Sequence, residues 1–202
     1  MPTIFSHGIA ATALLTAFPP RAVPRRLLTL GIACAIAPDL DVIAVPFGAR
    51  SGDLFGHRGF THSLFFAAVL ASVGLAGAIR AWPSIIHRAA VWFFLFLAAA
   101  SHGLLDALTD RNGLGIPFFW PFDATRYFFP FTPVAMSPLG THFFSERGLL
   151  VLLNEIWWIW IPSLGFVVAA VAVRRGLSRR AVADGHPARG QRKPSTTPFP
   201  GG

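Results

Sequence analysis

Five apolar stretches separated by polar punctuation run along the chain, and each is measured against the roughly 20 residues that a helix needs to cross a hydrocarbon core. The first, residues 1–18, is apolar apart from Ser6, His7, Thr12 and Thr16, and stops at Pro19-Pro20, with Arg21, Arg25 and Arg26 beyond. It lacks the basic start of a signal peptide and reads as a span. The second, 27–45, is clean to Ala37 and then meets Pro38-Asp39-Leu40-Asp41, where proline and two acids should break or end a helix. The third, 62–79, and the fourth, 89–108, are long enough to span. The fifth, 149–173, is the longest but contains Asn154, Glu155 and Pro162, and a carboxylate inside a span requires a partner. This pattern predicts an all-α fold, a multi-pass integral membrane helical bundle of about five spans.

Between the fourth and fifth stretches, Phe118, Phe119, Trp120, Phe122, Tyr127, Phe128, Phe129 and Phe131 alternate with Pro117, Pro121, Pro130, Pro133 and Pro138. Proline excludes a regular helix there. An irregular outer loop at headgroup level follows, either a simple anchor or a lipid-facing route for substrate. Residues 1–175 form the membrane-embedded domain. Residues 176–202 read as a disordered basic cytoplasmic tail, because the Pro-, Gly- and Arg-rich stretch from Ala181 has no apolar periodicity.

Composition supports the bilayer. Of 202 residues 53% are hydrophobic and 13% charged, about half the charge of soluble chains, and the mean hydropathy is +0.56. A disordered chain and a soluble nucleic-acid binder are excluded, and Cys34, the single cysteine, forms no internal bridge. The net charge of +8 divides by side. Arg21, Arg25, Arg26, Arg80, Arg88 and the cations of the tail fall on one side of the threaded spans, which marks it as the cytoplasm. The N-terminus is then outside, the C-terminus cytoplasmic, and the outer loops receive most of the acids.

Overlaid on that topology, histidines and carboxylates gather toward the outer face. His7 lies in the first span, Asp39 and Asp41 end the second, His57 and His62 flank the start of the third, and His102, Asp106 and Asp110 close the fourth. These ligand types suit Zn²⁺, Mn²⁺ or Fe²⁺. His102 and Asp106 stand at i and i+4 and project from one helical face, as ligands to one ion or as a hydrogen-bonded pair. If extended, Asp39 and Asp41 point the same way toward one site; otherwise they are a polar cap. In His57-Arg58-Gly59-Phe60-Thr61-His62-Ser63, Thr61 is the expected N-cap of a helix from His62, and the free N–H groups beside Arg58 would form an anion site. The plain alternative is a loop arginine, a cap and two surface histidines.

These strings, His7, Pro38-Asp39-Leu40-Asp41, His57 to Ser63, and His102-Gly103-Leu104-Leu105-Asp106-Ala107-Leu108-Thr109, resemble the bacterial membrane-bound metal-dependent hydrolase family, some of whose members are described as LexA-regulated inner-membrane proteins. The resemblance implies a multi-pass inner-membrane hydrolase with a divalent metal. It makes His7, Asp39, His57, His62, His102 and Asp106 the metal candidates, with Asp41 beside them. A more distant similarity is to zinc-dependent phospholipase C and the S1/P1-type nucleases, helical enzymes with a His-x-x-x-Asp pair that His102 and Asp106 match. They also use His-x-x-x-Glu, a spacing found at His142 and Glu146. Glu155, deeper in its span and costlier to leave unpaired, is the preferred seventh metal candidate.

The expected function is metal-dependent hydrolysis of an ester or phosphoester, on a small-molecule or lipid substrate, with zinc as the first choice of ion. Arg58 would hold anionic charge, and Asp41 or Asp110 would act as general base. Membrane lipids are the expected partners and nucleic acid is not. The alternatives are a divalent-cation transporter and a protein whose metal only ties its helices together.

Overall fold

The computed structural model describes residues 1–50, 53–109, 115–138 and 140–183. In chain order, α1 is Ile4–Leu15; a 3-10 turn, Arg25–Leu27, opens α2, Leu28–Ile36, which tightens into a 3-10 stretch over Ala37–Phe47. A second 3-10 turn, Phe60–His62, precedes α3, Leu64–Ala81, and α4 is Arg88–Ala107. A third, Gly140–Phe144, leads to α5, Glu146–Glu155, a π-helical turn over Ile156–Trp160, and α6, Ile161–Ala183. No strand occurs among the described residues; two isolated bridges, Thr109 with Val134 and Ile116 with Tyr127, pin the loop after α4.

The fold is all-α and multi-pass. Arg25–Ala44, Leu64–Ala81, Arg88–Ala107 and Glu146–Arg179 are each long and apolar enough to cross a membrane. The first stretch is shorter than its apolar run. α1 has 12 residues, about 18 Å at 1.5 Å per residue, against a core of about 30 Å. The last helix is longer than expected: α6 continues past the boundary at 175 to Ala183, and residues 184–202 of the expected tail lie outside the described residues. The wide π turn directly precedes Pro162, which has no N–H to offer the carbonyl one turn back.

Helices α1 to α4 pack through small residues, which let backbones approach where hydrophobic driving force is weak. On α3 the buried face is Ala67, Ala71, Gly74 and Ala78. On α4 the buried face includes Val91, Phe94 and Leu95. Gly31 lies directly against the Phe94 ring, leaving no room for a Cβ. Leu164, Phe166, Val168 and Val173 of α6 stay exposed, an apolar surface suited to lipid.

The aromatic loop is strapped across one end of this bundle. Leu64 N–H donates to Phe118 O, Phe129 N–H to Ala107 O and Val134 N–H to Leu108 O, each within 3.2 Å. Asn154 fastens its far side, accepting from Ala135 N–H at 2.8 Å and donating to Pro133 O at 3.1 Å. At the opposite end, Arg26 reaches Ser84 at 3.4 Å and stacks over Trp82, so the cations at the start of α2 meet the turn between α3 and α4.

Candidate metal centre

One helix and two 3-10 connections deliver the site. α4 carries His102 and Asp106 one turn apart on its fully buried face. The 3-10 stretch after α2 brings Asp39, and the turn before α3 ends on His62. One ligand atom from each of these four residues lies within 4.8 Å of all the others. His62 Nε2 and His102 Nε2 face each other at 3.1 Å. Asp39 Oδ1 is 3.3 Å from His102 Nε2, and Asp106 Oδ2 is 3.4 Å from His62 Nε2. The close approach depends on Gly103, where a Cβ would stand 2.8 Å from the His62 carbonyl oxygen.

Hydrogen bonds behind the rings aim their nitrogens inward. His102 Nδ1 sits 2.8 Å from Ala35 O, and a carbonyl only accepts, so Nδ1 carries the proton and Nε2 turns to the cluster. Thr61 Oγ1 donates to Asp41 Oδ2 at 2.8 Å and lies 3.0 Å from His62 Nδ1, from which it accepts. The other Asp41 oxygen meets His57 Nδ1 at 2.9 Å. Asp41, His57 and His62 form a second group of possible ligands sharing His62. His7 lies outside both, its ring stacked on His102 at 3.9 Å and its Nε2 3.8 Å from Asp106 Oδ1.

Several buried polar atoms of the site lack hydrogen-bond partners among the described residues. Among the described residues no donor satisfies either oxygen of Asp39 or Asp106, nor any partner either nitrogen of His7, although all these atoms are buried. Such groups are normally paired or bind metal. Burial works against a charged His62 ring, yet Asp106 and Asp39 beside its Nε2 hold its pKa up at about 9. A proton there stands where a divalent ion would otherwise sit. Two imidazoles and two carboxylates are a donor set that fits Zn²⁺, Mn²⁺ or Fe²⁺.

Several expected placements change. Thr61 is not the N-cap: α3 starts at Leu64, Ser63 Oγ accepts from Phe66 N–H at 3.1 Å, and Thr61 turns to Asp41 instead. Of the first-turn N–H groups expected to form the anion site, Leu64 N–H donates to Phe118 O and Phe66 N–H to Ser63 Oγ. Asp39 and Asp41 fall into separate ligand groups that share His62; Asp39 enters the cluster from the 3-10 stretch, while the two oxygens of Asp41 meet His57 Nδ1 and Thr61 Oγ1. Glu155 stands apart from the grouped ligands, its oxygens accepting from Thr3 N–H, Thr3 Oγ1 and Ser6 Oγ, each at 2.6 Å. His142 and Glu146 are in neither ligand group. Asp110 lies outside the described residues. Arg58 is at the site, with Nε 3.6 Å from Asp106 Oδ2 and Nη2 donating to Thr109 Oγ1 at 2.8 Å.

Comparison with known proteins agrees with the membrane architecture. The Escherichia coli (strain K12) inner membrane protein YbcI is 34% identical over 165 residues, covering 81% of this chain and 94% of that protein. No solved structure matches the chain. Residues 1–179, which include every described ligand of the cluster, match the family described as YdjM inner membrane protein. The chain belongs to the YdjM inner membrane protein family.

Proposed function

We propose that the chain is a membrane-embedded, metal-dependent hydrolase acting on an ester or phosphoester, with zinc the first candidate ion and manganese or iron the others. The observation that carries this reading is the pair of buried carboxylates, Asp39 and Asp106, whose four oxygens have no hydrogen-bond partner among the described residues while two imidazole nitrogens face them. A divalent ion at such a set supplies Lewis acidity, polarising the scissile bond and activating water at neutral pH. Asp39, His62, His102 and Asp106 would hold it. Asp41 keeps His57 and His62 oriented, His7 closes the pocket over His102, and Arg58 offers positive charge beside Asp106.

The ends of the bundle support an orientation. The cations at the start of α2, the end of α3 and the start of α4 share the end opposite the cluster, as the positive-inside rule requires of a site facing the periplasm. Full burial of the ligands favours a second reading, an ion that only ties the helices together. Turnover separates the two. The purified chain, with and without chelator, is tested against phospholipids, lipid phosphates and nucleotides; chelator-sensitive, zinc-restored hydrolysis of one class is expected, and bound metal without any turnover supports the structural ion.

A further inference from the structure

At the end of the bundle away from the metal ligands, a cleft of about 200 Å³ opens between the last turn of α1, the entry to α2 and the far part of α6. Its walls are of two kinds. Leu15, Phe18, Val23 and Leu28 make it apolar, whereas Arg25 and Arg174 bring guanidinium groups to it from opposite ends of the chain. Arg174 Nη1 donates to Phe18 O at 3.1 Å, which holds α6 against the end of α1; a guanidinium has five N–H donors, so others remain for a ligand. The Arg25 guanidinium has no hydrogen-bond or ion-pair partner among the described residues. Thr12 and Thr16, also at the cleft, give their hydroxyl protons to Gly8 O and Ala13 O, so the side-chain donors left for a ligand are the arginines.

The chain around the cleft has nothing to neutralise these charges. Residues 12–28 and 164–183 contain Arg21, Arg25, Arg26 and four arginines between 174 and 180, but no Asp or Glu. An occupant that suits both walls is anionic at one end and apolar at the other. An anionic phospholipid has that form and surrounds any membrane protein; guanidinium groups bind its phosphate well, and basic pockets between spanning helices select such headgroups. A zwitterionic lipid suits the cleft less, because its ammonium would meet arginines and no carboxylate. A soluble anion would leave the apolar wall uncovered. We infer that the cleft is an anionic-phospholipid site, with Arg25 and Arg174 on the headgroup phosphate and Leu15, Phe18, Val23 and Leu28 along the first acyl carbons. The lipid joins α6, otherwise exposed along Leu164, Phe166 and Val168, to the end of α1. This site is independent of the metal centre and of hydrolysis.

The test titrates the full chain in dodecyl maltoside with dihexanoyl phosphatidylglycerol, dihexanoyl phosphatidylcholine and inorganic phosphate, and counts bound lipid by native mass spectrometry. Phosphatidylglycerol is expected to bind, with phosphatidylcholine and inorganic phosphate each at least about tenfold weaker, the first for its ammonium and the second for its lack of acyl carbons. Arg25→Gln, which removes no side-chain contact of the fold, should weaken phosphatidylglycerol about fivefold with helical content unchanged. Arg88→Gln, at the same end of the bundle but outside the cleft, should leave binding as it is. Phosphatidylcholine binding as well as phosphatidylglycerol, inorganic phosphate binding as well as the lipid, or phosphatidylglycerol binding indifferent to Arg25→Gln overturns the site. Equal losses in Arg25→Gln and Arg88→Gln overturn it too, since diffuse surface charge then accounts for the binding.

Discussion

At the scale of single residues, the buried carboxylates divide by what surrounds them. Glu155 has three donors from Thr3 and Ser6, and Trp160 Nε1 completes the same network by donating to Ser6 Oγ at 2.9 Å. It ties α5 to the start of α1. Glu155→Gln should therefore leave metal content unchanged and destabilise the fold by about 1–3 kcal/mol, because an amide places donors against donors; thermal unfolding in detergent with metal analysis checks both. Its partners stand about 150 residues away in sequence, so spacing along the chain carries no sign of them. His102 and Asp106 are the opposite case, since the helical repeat alone puts them on one face. His62 yields a pH prediction. Held at about 9 by Asp106 and Asp39, its ring is protonated at neutral pH without metal, and an ion at Nε2 must displace that proton. Affinity should rise from pH 6 to 8, and titrations in buffers of different ionisation heat should report about one proton released per ion. No release would contradict ligation by His62.

Among the elements, connections decide the site more than spans do. The 3-10 stretch after α2 separates Asp39 from Asp41, a geometry that an alternation rule for extended chain does not anticipate. The same holds before α3, where a 3-10 turn moves the cap from Thr61 to Ser63 and frees Thr61 to orient His62. The hydrogen bond from Arg126 Nη1 to Arg58 O, 3.0 Å long, left no trace in the chain's local pattern because it forms only when the loop folds back onto Arg58. The contact that sets α4 against the turn carrying His62 is testable. In Gly103→Ala, a methyl 2.8 Å from the His62 carbonyl must push α4 away from the turn that carries the ligand. Metal affinity should fall at least tenfold, since misplaced ligands lose chelation, as equilibrium dialysis would show. Gly77→Ala, with open space around its Cβ, should leave affinity unchanged.

Over the whole molecule, the apolar pattern identified the multi-pass architecture, because bilayer thickness imposes it, and the polar residues at the span ends marked the acids and histidines that gather at one end of the bundle. It overestimated α1, since apolar composition does not distinguish a full span from a short helix packed among others. The bundle places the cations at the start of α2, the end of α3 and the start of α4 opposite its ligand group, and an ion held there would bind the folded chain alone. Zinc at about 100 times its dissociation constant should stabilise the fold by about 2.7 kcal/mol, visible as a chelator-sensitive rise in Tm. Whether Asp39, His62, His102 and Asp106 hold a divalent ion is decided by elemental analysis of the purified chain beside Asp106→Asn. At least one equivalent of bound metal is expected in the first and its loss in the second, with the helical content of both alike. Equal metal in the two proteins, or none in the wild-type chain after loading with zinc, manganese or iron, would contradict it.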